Sequence, residues 1–514
     1  MFLLGIIFIP LEFLLQNFYK SEFIISRIFI YFIVFFIGVV LIFSFNKYLL
    51  KLDNINNIFF IFVSEIIIFN SSSYEKLLQS NFQKIISIEF YFFLFLIIFL
   101  ILFFLKNKKL NIKIAHFIIL FSILNLIYNF SLNTFFKNKK IFAFDKQQLL
   151  NLSHQNKIYE QISEKSQFNN PNIFFIVMDS FQDLKNLKKI YDYYPNNFVE
   201  FLNSKKFEIK EKTYSTSIIT AASMSNMLNM VNNFYYNKDK IDLDTFSFLE
   251  SQWFNSKNSV QRILKQRGYK YFYYKSGIFG PKCPELADKC FESKNFLKEQ
   301  DIFLINKTPF LRVYARLFDK TAYLKLRHPE RYELDELTND IEKKDFSEKT
   351  FFYIHSMLPH APYRYNSNCS LHSRIVNLSD KRATEKEYLN QFQCATKQIE
   401  NLINKIIKID TDAMIVIVSD TGSYVGFENL NPDITRINFK QQEQISSVFL
   451  AIKKTSYCKY NFETPNVTSN LFRYIFSCLD NEKYPEDIKK VSIVGYPDWP
   501  NFDKVKILDI NQFD

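Results

Sequence analysis

The chain has 514 residues, is 48% hydrophobic and carries a formal net charge of +12. It is too long for one ordinary domain and its composition is uneven, so at least two regions are expected. About half of the positive excess falls in the first 140 residues, between apolar segments, where it reads as membrane topology. The remainder is close to balanced, with no basic helix or aromatic-basic platform to offer nucleic acid.

Residues 1 to about 132 carry apolar runs at 2–18, 24–46, 86–105 and 112–131, and a weaker run at 54–70 interrupted by Glu65. A helix of about 20 apolar residues crosses a bilayer, so four to five spanning helices in contact with lipid are expected. The first run lacks a basic leading segment and contains Glu12, which favours a spanning or signal-anchor helix over a cleaved signal. Loop 106–113, the most basic between spans, and Lys47 with Lys51 belong on the cytoplasmic side. Five spans then place the C-terminal region outside the cytoplasm. Lys137, Lys139 and Lys140 pull the other way, and four spans would flip the N-terminus. Residues 133–170, polar and rich in Asn, Gln and Lys, read as a linker.

All six cysteines lie in the C-terminal region and none shows zinc-knuckle spacing. An even set confined to one region points to disulfides in an oxidising compartment. Of the fifteen possible pairings, nearest neighbours are preferred because each loop is short: Cys283 with Cys290, Cys369 with Cys394, Cys458 with Cys478. The alternative is a set of buried free thiols.

From Pro171 onward short apolar strands alternate with amphipathic helices, the pattern of an α/β domain with a largely parallel sheet over 171–514. NIFFIVMDS (Asn172 to Ser180) is an apolar run that ends on Asp179. SVQRILKQR predicts a short helix, Gly268 its left-handed cap, and YKYFYY the next strand. Thr384 to Lys408 predicts a longer helix: Thr384 and Glu387 fit a capping box, and Tyr388, Phe392, Ala395, Ile399, Leu402, Ile403 and Ile406 share one face. That helix feeds AMIVIVSDTG (Ala413 to Gly422), a buried strand ending on Asp420. Ser446 to Lys454 reads as one more strand and Val467 to Leu479 as one more helix.

Several residues in this pattern could carry chemistry. Asp179 and Asp420 stand at matching strand ends, where open α/β sheets bind ligands, and suggest a shared metal or polyanion site; as helix caps they would need no ligand. In Thr213 to Met230 a hydroxyl-rich segment turns into a helix, and a hydroxyl at a helix N-terminus near a metal can act as nucleophile toward a phosphate or sulfate ester. The same hydroxyls also serve as ordinary caps. In Phe351 to Tyr363 a strand runs into His355 and His360, with Pro359 and Pro362 fixing the loop, so both imidazoles can bind an anion or act as general acids.

This order of features resembles the sulfatase-like branch of the alkaline phosphatase superfamily, whose membrane-anchored members include phosphoethanolamine and phosphoglycerol transferases and lipoteichoic acid synthases. The resemblance covers about residues 171–480. It implies an alkaline-phosphatase-like α/β/α domain behind a membrane helix bundle, in a multi-pass protein of the bacterial inner membrane with its C-terminal domain extracytoplasmic. MDS matches the strand that supplies the first metal carboxylate, here Asp179. TAASMSNMLNM (Thr220 to Met230) matches the nucleophile segment and implies Thr220 as nucleophile and metal ligand, with Ser223 at the substrate. LPHAPY matches the anion-binding histidine loop and implicates His360. SDTG matches the S-D-H-G metal loop, making Asp420 the second carboxylate and Thr421 its neighbour in the metal set. GYKYFYYKS resembles the strand of the active-site lysine, with Lys275 out of register by about one residue.

The departures are equally plain. Thr421 replaces a family His or Asn, Met224 replaces an Arg that helps bind the nucleophile, and no histidine follows His372. The resulting oxygen set of Asp179, Thr220, Asp420 and Thr421 suits one divalent Mg²⁺, Mn²⁺ or Ca²⁺ better than Zn²⁺, or holds none. The expected function is transfer or hydrolysis of a phosphate or sulfate ester on an envelope glycan or phospholipid through metal-activated Thr220, with His355 and His360 at the anion. The alternative is a decayed pseudoenzyme that serves as a glycan-binding or assembly module.

Overall fold

The structure, a computed structural model, describes most of residues 171–513 together with Ser44, Tyr48 and Ile162. It leaves out 233–257, 276–282, 292–333, 377–383 and a few shorter stretches. The spans and linker expected in residues 1–170 thus lie outside the described residues, and among those described no helix is long and apolar enough to cross a membrane. The chain divides into two compact units, Met1–Ala143 with Asn295–Pro329, and Phe144–Lys294 with Glu330–Asp514. All elements below belong to the second.

In chain order these are β1 (Ile173–Met178), α1 (Leu184–Tyr191), α2 (Asn196–Ser204), β2 (Phe207–Tyr214), α3 (Thr220–Asn229), α4 (Ser259–Gln266), β3 (Lys270–Lys275), β4 (Lys289–Phe291), α5 (Leu334–Ile341), β5 (Thr350–Ser356), β6 (Tyr363–Tyr365), β7 (Leu371–Val376), α6 (Thr384–Ile409), β8 (Met414–Ser419), α7 (Phe439–Ser446), β9 (Ser447–Lys453), α8 (Leu471–Asp480), β10 (Lys490–Ile493) and β11 (Lys506–Asp509). Seven strands form one sheet in the order β2-β9-β8-β1-β5-β3-β4. From β8 to β4 the strands are parallel, while β9 runs antiparallel to both its neighbours.

Successive side chains of a strand face opposite sides of a sheet, which sorts the core. Phe175, Val177, Tyr353, Val416 and Val418 pack with α3, α4 and α8 on one face. Phe174, Ile176, Phe352, Ile354, Ile415 and Ile417 pack with α1, α2, α5 and α6 on the other. A central strand covered on both faces is apolar throughout, so β1 and β8 read as unbroken hydrophobic runs. The expected α/β/α architecture with a largely parallel sheet is present.

Local signals are equally physical. α4 is capped by the Asn258 side chain, and Gly268 follows it with φ +79, a left-handed turn that costs glycine no Cβ clash. α6 buries every residue of its predicted apolar face. The segment expected as one helix from Val467 opens with a short 3-10 turn at Thr468–Asn470 before α8 begins. The three disulfides are those expected, Cys283–Cys290, Cys369–Cys394 and Cys458–Cys478.

Candidate metal and nucleophile site

The site lies beyond the C-terminal ends of the central strands. β1 pairs with β8 and β5 so that Val177 stands level with Val418 and His355. Asp179 and Asp420 follow two residues after Val177 and Val418, so strand alternation aims all three polar side chains at the α3 side of the sheet. Asp179, His355 and Asp420 are buried and offer ligand atoms that all lie within 4.8 Å of one another. A ring nitrogen from the neighbouring strand thus lies beside the two carboxylates expected from sequence.

Small residues hold these ends together. The Ser419 hydroxyl lies 2.6 Å from the Met178 carbonyl oxygen and 2.7 Å from that of Thr421, and accepts the Phe181 N–H at 2.9 Å. It thereby ties the end of β1 to the loop after β8. Gly422 donates its N–H to the Ile445 carbonyl at 2.8 Å, and a Cβ there would sit 2.7 Å from the Ser447 carbonyl oxygen. Only a glycine lets this loop lie so close to α7 and β9.

Thr220 is the first residue of α3, and the residue before it, Ile219, gives the helix no side-chain cap. The N–H groups that follow Thr220 at this helix start can therefore face an oxygen-rich partner. Burial, and next the Asp179 carboxylate, raise Asp420 well above the usual carboxylate range, while the facing Thr220 hydroxyl, the Thr421 N–H and His360 pull it down by less. Asp420 Oδ1 accepts the Thr421 N–H at 2.8 Å, and its buried Oδ2 meets no donor at full hydrogen-bonding geometry. Two carboxylates pressed together with an imidazole make a donor set that fits a divalent metal ion.

The remaining predicted residues take distinct places. Ser223 is buried, its hydroxyl 2.6 Å from the Asp420 carbonyl oxygen and 2.7 Å from Ser215 Oγ, where it pins α3 to the metal loop. His360 sits half-buried at the rim, its backbone N–H donating to the Asp179 carbonyl at 3.1 Å and its Nδ1 meeting the Ala361 carbonyl. Gln391 of α6 clamps this loop by donating to the His360 carbonyl at 2.8 Å. Lys275 ends β3 in register with His355, and its side chain lies outside the described residues. Thr421 is buried beside Asp420, and Met224 is buried in the α3-side core.

Sequence reasoning missed two tyrosines. Tyr424 donates to the Ile218 carbonyl just before α3, and Tyr496, beyond β10, hydrogen-bonds to Thr220 through side chain and backbone. Burial, then Asp179 and Asp420, push the Tyr496 phenol up. For Tyr496 no motif could have signalled it, because the segment after β10 has no chemistry of its own.

Solved structures that resemble the chain include the periplasmic domain of EptC from Escherichia coli, at 14% identity over 68% of this chain and 94% of that one, with a TM-score of 0.39. Others are the lipooligosaccharide phosphoethanolamine transferase A, an integral membrane protein of Neisseria meningitidis, at 12% over 92% and 95% with a TM-score of 0.36, and the putative sulfatase yidJ of Bacteroides fragilis, at 10% over 68% and 91% with 0.41. No curated protein matches the chain. The sequence profile of the Sulfatase family matches residues 171–479, more than half of the chain, and runs through every strand end and helix start that builds this site. The protein belongs to the Sulfatase family.

Proposed function

We propose that the protein is a metal-dependent phosphotransferase or phosphohydrolase of the cell envelope, acting on a phosphate ester, with a sulfate ester as the other substrate class, carried by a glycan or phospholipid. One observation carries this reading: Asp179, His355 and Asp420 converge within 4.8 Å while Thr220 faces Asp420 from an uncapped helix start. Asp179, His355, Asp420 and Thr220 would hold the metal, with Thr421 beside them. An imidazole in the set favours Zn²⁺ or Mn²⁺ over Ca²⁺.

When bound, the ion supplies positive charge that acidifies the Thr220 hydroxyl and offsets charge on the transferring group. Thr220 Oγ forms the new ester bond to phosphorus as the bond to the leaving oxygen breaks. The hydroxyl proton passes to the facing Asp420 carboxylate, and His360 gives a proton to the leaving oxygen. Water or an acceptor hydroxyl then displaces Thr220, passing its proton to His360 while Asp420 returns its own to the Thr220 oxygen. The α3 N–H groups hold the non-bridging oxygens. His355 orients the site, Ser223 keeps α3 against the metal loop, and Lys275, which ends the neighbouring strand in register with His355, is the residue proposed for the substrate anion. The three disulfides support an extracytoplasmic domain, and the apolar runs of residues 1–132 support a multi-pass anchor in the bacterial inner membrane.

The test is turnover of p-nitrophenyl phosphate, bis(p-nitrophenyl) phosphate and p-nitrophenyl sulfate by the purified full chain with Mn²⁺ or Zn²⁺. Thr220→Ala is expected to reduce turnover to background while metal binding, read by calorimetry, changes only a few-fold. Full turnover in that variant would end the mechanism. A second reading, a pseudoenzyme that binds an envelope glycan, draws on Met224, buried in the core where the resemblance expects an arginine. It gains if the wild-type chain neither binds a divalent ion nor turns over any of the three esters.

A further inference from the structure

Two polar arms of the site lie far apart in sequence yet are stitched together. Tyr214, Ser215 and Ser217 lead into α3, and Ser217 forms a parallel bridge with Ser492 of β10. The Ser492 N–H donates to the Thr216 carbonyl at 2.8 Å, and its hydroxyl donates to Asn232 Oδ1 at 2.9 Å, beyond the far end of α3. Asn232 in turn donates to the Lys490 carbonyl at 3.0 Å. β10 is therefore fastened to the segment before α3 and to the one after it. Two chains that leave a parallel bridge together stay neighbours for a few residues. Three residues on from Ser217 stands Thr220, and four on from Ser492 stands Tyr496.

We infer that Tyr496 is the positioning residue of the nucleophile: its phenol, hydrogen-bonded to both the Thr220 hydroxyl and the Thr220 backbone, fixes the direction in which Thr220 Oγ points. The inference rests on the reading of Thr220 as nucleophile. The hydrogen-bond inventory is complete without strain. A threonine hydroxyl has one donor and two acceptor lone pairs, and a phenol has one donor and acceptor capacity besides. Thr220 hydrogen-bonds to both Asp420 and Tyr496. Its single hydroxyl proton can serve only one of them, so with the Thr220 O–H on Asp420 the phenol O–H turns to Thr220 Oγ and the phenol oxygen accepts the Thr220 N–H. One Oγ lone pair is left for the metal, and the pair freed when the proton passes to Asp420 attacks the substrate. Asp179 and Asp420 both act on the phenol electrostatically. This segment lies beyond residue 479, outside the stretch that the family profile matches.

The experiment compares Tyr496→Phe in two backgrounds, wild type and Thr220→Ser, using the purified full chain, Mn²⁺ and bis(p-nitrophenyl) phosphate. In the wild-type background kcat is expected to fall about ten-fold, the usual range for losing an orienting partner, with KM, Mn²⁺ affinity and the thermal midpoint nearly unchanged. Serine lacks the methyl group that restricts the threonine χ1 rotamer, so in the Thr220→Ser background the same change should cost several times more. A structural role would lower the thermal midpoint and cost both backgrounds equally. Equal factors in the two backgrounds, or unchanged kcat in Tyr496→Phe, overturn the inference and leave the proposed mechanism standing. Wild-type protein that turns over no ester overturns both.

Discussion

His355 Nδ1 lies 3.0 Å from the Tyr353 hydroxyl, an arrangement that leaves Nε2 to take a metal and fixes the ring through a second partner. His355→Ala is accordingly expected to lower Zn²⁺ or Mn²⁺ affinity by about a hundred-fold and Tyr353→Phe by about ten-fold, both read by calorimetry. Equal affinity in His355→Ala would return the site to oxygen ligands alone. Asp420 makes a second prediction. Its folded pKa is raised, first by burial and then by Asp179, so without metal its contribution to stability is complete below the ordinary carboxylate pKa and is lost as pH rises through the raised value. Metal reverses the sign, because the ion binds the ionised carboxylates and must expel that proton. Thermal midpoints of metal-free protein should fall as pH rises above the ordinary carboxylate range and be restored by Mn²⁺, with proton release visible as a buffer-dependent heat. At this scale Asp179 and Asp420 stood out because motif and strand end coincide there, Thr220 because a hydroxyl-rich run turns into a helix, and His360 because prolines flank it. The sequence hid Tyr496, since nothing local to the residues after Ile493 says which helix they touch.

Elements decide whether those residues meet. β1, β5 and β8 were legible because a strand buried on both faces is apolar throughout and stops at the first charge or turn. Their register was not, since that depends on pairing between segments more than a hundred positions apart, and His355 joins the metal set only through it. The loop after β8 shows how tightly the register is held. A methyl group on Gly422 would press on the Ser447 carbonyl oxygen, a backbone atom that cannot rotate away. Gly422→Ala is therefore expected to destabilise the domain by about 1–3 kcal/mol, the usual cost of overpacking, as a lower midpoint in denaturant, and to weaken metal binding with it. An unchanged midpoint would mean that α7 yields.

Over the whole domain, the disulfides tie segments on the same side of the sheet, Cys458 to Cys478 in the α3-side core and Cys369 to Cys394 in the α6-side core. Replacing Cys369 and Cys394 with serine frees a link between residues 25 positions apart, and about 3 kcal/mol of stability should be lost in denaturant titrations; no loss would mean that α6 and the segment after β6 need no tether. Short spacing made the pairing legible, whereas the tie between the C-terminal segment and α3 left no trace in composition or pattern. That tie also sets an order in time. Synthesis delivers Asp179 and Thr220 first, then His355, then Asp420, and Tyr496 last of these, so a partly emerged chain can gather ligands for an ion before Tyr496 aims the hydroxyl beside it. A growing chain would act on the esters around it only at the slower rate of an unaimed hydroxyl until β10 docks.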